Sequence, residues 1–186
     1  MNLGLYRKFI NLNNQARVLL RPLLKEDYEN FSNLYNKASD EDVAFLRHNV
    51  RDPEIIKKWI ENIDLNTVFP MLAIHNEKIV GNATLHFGKH SHRHSAQLRI
   101  YIAPDYRRLG LGTLMIKELL DISHKIGLKI VWAEIVIEQS KVIKAFLELG
   151  FQFSCVLRDW FMSQSGKCYD VALLIFNLGK KSEPDF

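Results

Sequence analysis

The sequence predicts a mixed α/β fold in which one central sheet carries helices. Residues 71–102 contain apolar runs at the period of two that is typical of strands. Apolar residues recur at helical spacing over residues 111–126. Residues 130–137 form a nearly continuous β-branched run, as expected of a strand covered on both faces. Together these patterns predict a mixed central sheet of about seven strands with about four helices.

The first third of the chain contains one predicted strand and two predicted helices. Residues 1–14 form an N-terminal extension that we expect to be loose or helical. Arg17–Leu20 is a short apolar strand that ends before Pro22, and apolar side chains at helical spacing follow over residues 24–35. The tripeptide Asp52-Pro53-Glu54 then predicts a helix start, because Asp is a good N-cap and Pro suits the first helical position.

The remaining elements alternate between the two periods. Gly127 and Gly150 end two helices, and Ser140 is the expected cap of the second. In the strand that ends at residue 102, residues 98, 100 and 102 face one way and residues 97, 99 and 101 the other. The predicted strands and helices of this part cover 71–75, 79–87, 96–102, 111–126, 130–137, 140–149, 151–157 and 169–176.

The composition is that of one ordinary globular domain. A chain of 186 residues buries one sizeable core, and 47% apolar with 25% charged residues excludes disordered and fibrous classes. We expect a single domain over 1–186, with its core at 16–178 and a frayed tail at 180–186. No apolar run is long enough for a membrane span, and the start lacks the apolar stretch of a secretory signal. Two cysteines make no disulfide scaffold, so we expect a cytoplasmic protein.

The formal net charge of +4 is scattered along the chain except in the segment 89–94. His90, His92 and His94 alternate there, and imidazole suits zinc or nickel. Lys89 and Arg93 add repelling charge and no Cys or carboxylate is interleaved, so we expect a solvated loop and no metal. A nucleic-acid binder would interleave aromatic residues with such a patch. We therefore expect no nucleic-acid partner.

The segment from Ile102 to Thr113 carries the clearest chemical signal. A strand ends there, a loop with Arg107, Arg108, Gly110 and Gly112 follows, and a long amphipathic helix begins. Backbone N–H groups at a helix start are unpaired and lie at the positive end of the helix dipole. Glycine has no Cβ, so an anion can approach the backbone closely. This arrangement predicts a phosphate or pyrophosphate cradle.

Two nucleotide-binding fingerprints do not fit this loop. A Walker loop needs Lys-Ser/Thr after its second glycine, and Gly112 is followed by Thr113-Leu114. A dinucleotide fingerprint needs a third glycine, and Met115 occupies that position. The loop instead resembles the Arg/Gln-x-x-Gly-x-Gly/Ala loop of the GNAT acetyltransferase superfamily, and the resemblance covers about Ala16 to Leu178.

This resemblance implies an acyl-CoA transferase fold splayed between its fourth and fifth strands, and direct acetyl transfer from acetyl-CoA to a primary amine. Loop amides would bind the CoA pyrophosphate, the backbone of 100–102 would pair with pantetheine, and an N–H near Ile102 would polarise the thioester carbonyl. The implied cofactor-binding residues are Ile100, Tyr101, Ile102, Arg107, Arg108, Leu109, Gly110, Leu111, Gly112, Thr113, Gln139 and Phe146.

The sequence departs from this family at the residues that transfer protons. Many relatives have Glu where Gln97 stands and Tyr where Phe146 stands, and neither Gln nor Phe can perform those roles. Glu134 and Glu138, which share a face of the fifth predicted strand, are candidate bases. Glu134 is alternatively a carboxylate paired with Arg99 or solvent. Tyr101 is a candidate acid, or a residue that packs against the core or the cofactor. A non-catalytic CoA-binding module is therefore the alternative to an enzyme.

The acceptor is expected to be an amine of a small molecule or a peptide. Residues of the expected acceptor side are aromatic and basic, and they lack the acidic cluster that a polyamine or a Lys-rich peptide would favour. An amino acid, a carboxylated amine or an antibiotic-like compound is compatible with them. The resemblance also implies a homodimer formed through the C-terminal strands. The expected acceptor-side residues are Phe45, Leu46, Arg47, His48, Trp59, Phe87, Trp160 and Phe161.

Overall fold

The computed structural model describes residues 1–179 and contains one sheet of eight strands. The predicted tail at 180–186 lies outside the described residues. The strands are β1 (Lys8–Asn11), β2 (Arg17–Pro22), β3 (Val68–His75), β4 (Lys78–Phe87), β5 (Ser95–Ile102), β6 (Ile130–Val136), β7 (Gln152–Met162) and β8 (Cys168–Asn177). The α-helices of these residues are α1 (Tyr28–Tyr35), α2 (Asp40–Ala44), α3 (Pro53–Glu61), α4 (Leu111–Lys125) and α5 (Ser140–Glu148).

The mixed α/β class is confirmed, with one strand and one helix more than expected. The strands lie in the order β1-β2-β3-β4-β5-β6-β8-β7. Every neighbouring pair is antiparallel except β5 and β6. A parallel pair cannot be joined by a tight turn, so α4 forms the crossover between β5 and β6. The start of α4 therefore lies near the carboxyl end of β5.

The prediction of a loose or helical N-terminus was wrong. A 3₁₀ turn at Leu3–Leu5 is followed by β1, which pairs with β2 from Lys8↔Leu20 to Asn11↔Arg17. Lys8 Nζ also binds Glu118 Oε2 on α4 at 2.5 Å. β1 has only four residues and an exposed face, so its sequence carries too little alternation to be read as a strand.

Helix α2 was missed because it is short and has an unusual cap. Ser39 Oγ accepts from the Asp42 N–H at 3.0 Å, and Asp42 Oδ2 accepts from the Ser39 N–H at 3.3 Å. This is a capping box with Asp in place of the usual Glu or Gln. Five residues are too few to display an apolar stripe.

The start of α3 is confirmed, whereas two other helix starts differ from the prediction. Asp52 Oδ1 accepts from the Glu54 N–H at 3.0 Å and Pro53 is the first helical residue. The first helix begins only at Tyr28, after a 3₁₀ turn at Lys25–Asp27. Ser140 is the first residue of α5 rather than its cap, and Gln139 holds the cap position without a side-chain bond.

The two faces of the sheet carry separate apolar clusters. One cluster includes Met115, Leu119 and Ile122 of α4, and the other includes residues of α1 and α3. The predicted alternation in β5 is confirmed, because Leu98 belongs to the α4 cluster and Tyr101 to the opposite one. Within residues 1–179, none of the helices has the length and apolar character that crossing a membrane requires.

Candidate functional site

Strands β5 and β6 diverge after a short parallel ladder. Within the described residues they pair only at Ser95↔Ile130, Ala96↔Val131 and Gln97↔Trp132. β5 nevertheless continues to Ile102 and β6 to Val136. Ala103 N–H donates to the Val80 carbonyl on β4 at 3.0 Å. By alternation, the backbone groups of Ile100 and Ile102 point toward the gap that opens on the β6 side.

The loop between β5 and α4 adopts two left-handed backbone conformations. Arg108 has φ 60° and Gly110, the N-cap residue of α4, has φ 82°. Asn13, in the turn between β1 and β2, donates its N–H to the Leu109 carbonyl at 3.1 Å. A Cβ on Gly110 would also lie 3.1 Å from Asn13 Oδ1, so this position favours glycine both by its φ and by its surroundings.

Six consecutive N–H groups at this loop make no hydrogen bond within residues 1–179. The N–H groups on either side do have partners: Arg107 donates to Pro104 and Leu114 to Gly110. The N–H groups of Arg108–Thr113 between them have none. We call these six groups the amide cradle. Unpaired N–H groups at a helix N-terminus favour an anion, so the cradle is suited to a phosphate or pyrophosphate.

Gly112 belongs to the amide cradle and lies beside β5. A Cβ at this position would be 3.7 Å from Ile102 Cγ1 and 3.9 Å from Ile100 Cδ1, which are ordinary contacts. The fold therefore tolerates alanine here.

Arg107 links the end of β5 to α2. Its Nε donates to the Ile102 carbonyl at 3.0 Å, and its Nη2 binds Asp42 Oδ2 at 2.8 Å. Burial of Asp42 opposes ionisation, but the hydrogen bond and the charge of Arg107 outweigh it and lower the Asp42 pKa. The Arg107 charge is thus already compensated within the protein, whereas Arg108 is exposed and is the more available cation beside the amide cradle.

Tyr101 lies on the face opposite α4, and its hydroxyl is buried. The ring packs 5.0 Å from the Tyr35 ring, and the Arg107 guanidinium lies 5.7 Å from its centre. The hydroxyl has no hydrogen-bond partner within residues 1–179. Burial, followed by the charge of Asp42, raises the Tyr101 pKa, so the phenol is protonated at neutral pH and has a proton to donate.

Gln139 and Phe146, at the two ends of α5, differ in exposure. Gln139 is half-buried at the N-terminus of α5, and its carbonyl accepts from the N–H groups of Val142 and Ile143. Phe146 is 3% exposed and packs edge-on against Phe151, with ring centres 4.9 Å apart. Phe146 thus contributes apolar packing and has no group for proton transfer.

Glu134 forms an ion pair with Arg47, not with Arg99 as the alternative interpretation expected. Glu134 Oε2 and Arg47 Nη2 are in direct contact, and the Glu134 side chain is only 9% exposed. Glu134 follows Trp132 by two positions on β6, so it lies beside the gap. The carboxylate beside the gap is therefore nearly buried and paired with a guanidinium.

Arg99 takes part in a side-chain cluster that sequence reasoning left without a role. Its Nε and Nη2 donate to Gln97 Oε1 at 3.0 and 2.6 Å. On the neighbouring strand, His86 Nε2 lies 3.0 Å from Thr84 Oγ1. The register pairs Thr84 with Arg99 and His86 with Gln97. The alternation of β5 already placed Arg99 on the Gln97 face, and this was the signal that could have found it.

The arginines hold two histidines near this cluster in the neutral form. Burial, followed by the charges of Arg99 and Arg47, lowers the pKa of His86 to about 4. The same three causes lower the pKa of His48. The imidazoles are therefore hydrogen-bonding groups at neutral pH, and they do not add positive charge to a site that already contains two guanidinium groups.

The histidine segment and the expected acceptor-side residues are the remaining predicted positions. His90–His92 form an exposed 3₁₀ turn, and no group of three or more metal-ligating side chains occurs within residues 1–179. On the acceptor side, Phe45 packs 5.3 Å from Tyr169 and His48 lies 5.3 Å from Trp59, measured between ring centres. Trp160 is 59% exposed on β7.

Comparisons with known proteins agree with this geometry. The model of the acetyltransferase (GNAT) family matches residues 24–151. The [ribosomal protein bS18]-alanine N-acetyltransferase of Escherichia coli K12 is 29% identical over 68 residues, which are 37% of this chain and 46% of that protein. The chain thus matches less than half the length of this curated relative.

Two solved structures illustrate the shared fold. A spermidine N-acetyltransferase chimera from Vibrio cholerae and hSSAT has a TM-score of 0.74 at 21% identity, covering 87% of this chain and 95% of that one. The protein yncA of Salmonella typhimurium, solved with its cofactor acetyl-CoA, has a TM-score of 0.73 at 20% identity, covering 90% and 98%. At these identities the likeness is one of fold.

Proposed function

Since the chain belongs to the GNAT acetyltransferase family, we propose that it transfers an acetyl group from acetyl-CoA directly to a primary amine of a small molecule or a peptide. The amide cradle is the observation that carries this proposal. Its six N–H groups lie at the start of α4, beside the gap between β5 and β6. The relatives named for a peptide amine and for spermidine are consistent with an amine acceptor.

The residues of the site suit two parts of CoA, the pyrophosphate and the pantetheine arm. The amide cradle would bind the pyrophosphate, with the exposed Arg108 beside it and Gln139 at the neighbouring end of α5. The N–H and C=O groups of Ile100 and the N–H of Ile102 have no strand partner on the β6 side, and the amides of pantetheine would pair with them. The Ile102 carbonyl already accepts from Arg107 Nε. Acetyl-CoA is the co-substrate that supplies the acetyl group.

Glu134 and Tyr101 are the proposed proton-transfer residues. The amine nitrogen forms a bond to the acetyl carbonyl carbon while the carbon–sulfur bond breaks, and one proton leaves the nitrogen. Glu134, beside the gap, would accept that proton, and its release from Arg47 is part of this step. The Tyr101 hydroxyl, which has no other partner within residues 1–179, would donate a proton to the leaving sulfur.

The first test measures acetyl-CoA binding to Gly112 variants by calorimetry. We expect Gly112→Trp to weaken binding by at least about 100-fold, because an indole on a cradle residue would occupy space that the bound pyrophosphate needs. Gly112→Ala is the matched control, and we expect its affinity to stay within about threefold of wild type because its Cβ makes only ordinary contacts. Equal affinity of both variants would contradict the role of the loop, provided that thermal unfolding shows both to be folded.

A second candidate function is a non-catalytic CoA-binding module. The observation that favours it is that the Glu134 carboxylate is occupied by Arg47 and the Gln97 amide oxygen by Arg99. Release of CoA thiol with a panel of primary amines separates the two functions. Turnover on any amine that is lost in Glu134→Gln supports the enzyme, whereas binding without turnover supports the module.

A further inference from the structure

Arg99 is a half-buried guanidinium whose only hydrogen-bond partner within residues 1–179 is a neutral amide. Two of its five N–H donors bind Gln97 Oε1. No carboxylate of the described residues lies within 4.0 Å of it. Burying a charge without an opposite charge is costly. Its three remaining donors, on Nη1 and Nη2, are therefore suited to an anionic ligand.

The surrounding groups leave the positive charge of Arg99 uncompensated. The charged and titratable groups near Arg99 are Arg47 after α2, the adjacent His48, His86 on β4 and Glu134 on β6. Burial, followed by the charge of Arg47, lowers the Arg99 pKa to about 10, so Arg99 is still protonated at pH 7. Glu134 compensates Arg47 and both histidines are neutral. One positive charge is left without a partner.

The position of Arg99 relates this charge to the acceptor amine. Gln97 and Trp132 form the last pair of the ladder between β5 and β6. Arg99 and Glu134 each lie two residues further along their strands, on the face opposite α4. A molecule bound at this point of the gap would meet a cation from β5 and a carboxylate from β6. Such a pair matches a ligand that has both an amine and an anionic group.

We propose that the acceptor is a small amine that also carries a carboxylate, and that Arg99 binds this carboxylate. This inference rests on the proposed acetyltransferase function. The Nη1 and Nη2 donors of a guanidinium match the two oxygens of a carboxylate. A polyamine would bring only positive charge next to Arg99 and Arg47, and it is disfavoured by the same electrostatics.

The test compares acceptors that differ only in the carboxylate. Thiol release from acetyl-CoA is measured with L-amino acids, their carboxamides, the matching aminophosphonic acids and spermidine. We expect kcat/KM for the best amino acid to exceed that of its carboxamide by about tenfold or more. In Arg99→Gln we expect the amino acid KM to rise by about tenfold or more with the preference lost, while the KM for acetyl-CoA stays unchanged.

Controls separate binding by Arg99 from a loss of structure. Arg93→Gln removes an arginine of the exposed His90–His92 turn, and we expect it to keep the wild-type preference. Arg99→Lys retains the positive charge but not the paired Nη1 and Nη2 donors, and it should recover part of the amino acid affinity that Arg99→Gln loses. Thermal unfolding is measured for each variant. If Arg99→Gln is unfolded at the assay temperature, Arg99→Lys takes its place in the comparison with wild type.

Several outcomes would overturn the proposal. Faster turnover of the carboxamides or of spermidine would do so, and a preference for aminophosphonic acids would assign the site to a different anion. If no carboxylated amine reacts, the proposal is wrong. Calorimetry with acetyl-CoA in the same samples then distinguishes the two failures, because retained binding leaves the cofactor site intact and lost binding removes the proposed function as well.

Discussion

At the residue scale, the Tyr101 hydroxyl is buried without a hydrogen-bond partner in the described part of the chain. Removing such a group does not break an interaction in the free protein, so Tyr101→Phe should unfold at the wild-type temperature or slightly above it. If Tyr101 donates a proton to the leaving sulfur, kcat should nevertheless fall by about tenfold or more. Steady-state kinetics and thermal unfolding of one preparation measure both quantities.

Tyr35→Phe is the matched control for this variant. The Tyr35 hydroxyl accepts from Asn82 Nδ2 at 3.2 Å, so its removal leaves a buried amide without its partner. We expect Tyr35→Phe to lose about 1 kcal/mol of unfolding free energy with little change in kcat. A wild-type kcat in Tyr101→Phe would show that Tyr101 is a packing residue.

His86 should make the stability of the fold depend on pH. Its pKa is about 4 in the folded protein and the ordinary value is 6.5, so the unfolded chain binds the extra proton between these values. Stability is therefore complete above pH 6.5 and decreases as the pH falls toward 4. From pH 7 to pH 5 we expect a loss of about 2 kcal/mol at most from this residue.

Chemical denaturation at pH 7 and pH 5 tests this dependence. We expect His86→Gln to lose less stability between the two values than the wild type does, because glutamine does not titrate. His90→Gln changes a histidine of the exposed turn and should keep the wild-type difference. Equal pH dependence in His86→Gln and wild type would exclude His86 as the source.

At the element scale, an ion pair between an exposed lysine and a nearly buried glutamate joins β1 to α4. The Lys8 side chain is 49% exposed, whereas that of Glu118 is 10% exposed. Lys8→Met would leave a nearly buried carboxylate unpaired, and we expect a loss of about 1–3 kcal/mol of unfolding free energy. Adding Glu118→Gln should restore part of it, because the second change removes the unpaired charge.

Lys125→Met provides the comparison within the same helix. Lys125 binds Asp121 at 2.5 Å one turn away, but both side chains are about half exposed. An exposed pair of this kind contributes little, so we expect no measurable change in the denaturation midpoint. A loss in Lys125→Met equal to that in Lys8→Met would mean that burial of Glu118 is not the cause.

The elements that the sequence predicted correctly are those that bury a full face. The stripe of α4 and the β-branched run of β6 face packed layers on the α4 side, so their periods record the fold directly. β1 and α2 are held instead by partners far along the chain, such as Glu118 for β1 and Arg107 for α2. A contact between distant residues leaves no periodic pattern at either end.

At the scale of the whole molecule, the sequence predicted an anion-binding loop at residues 102–113 but not the charge balance around Arg99. The glycines and the helix start between 102 and 113 are contiguous, so their geometry could be inferred locally. The groups near Arg99 come from β4, β6 and the segment after α2. Which arginine compensates Glu134 depends on how these segments pack, and the structure assigns Arg47 instead of Arg99.

The three-residue ladder between β5 and β6 also bears on how the sheet opens. Eight residue pairs join β3 to β4 and seven join β4 to β5, whereas only three join β5 to β6. We expect this ladder to be the first part of the sheet to open. A ligand that spans the gap would join the two halves of the sheet and slow global unfolding more than its contact area alone would suggest.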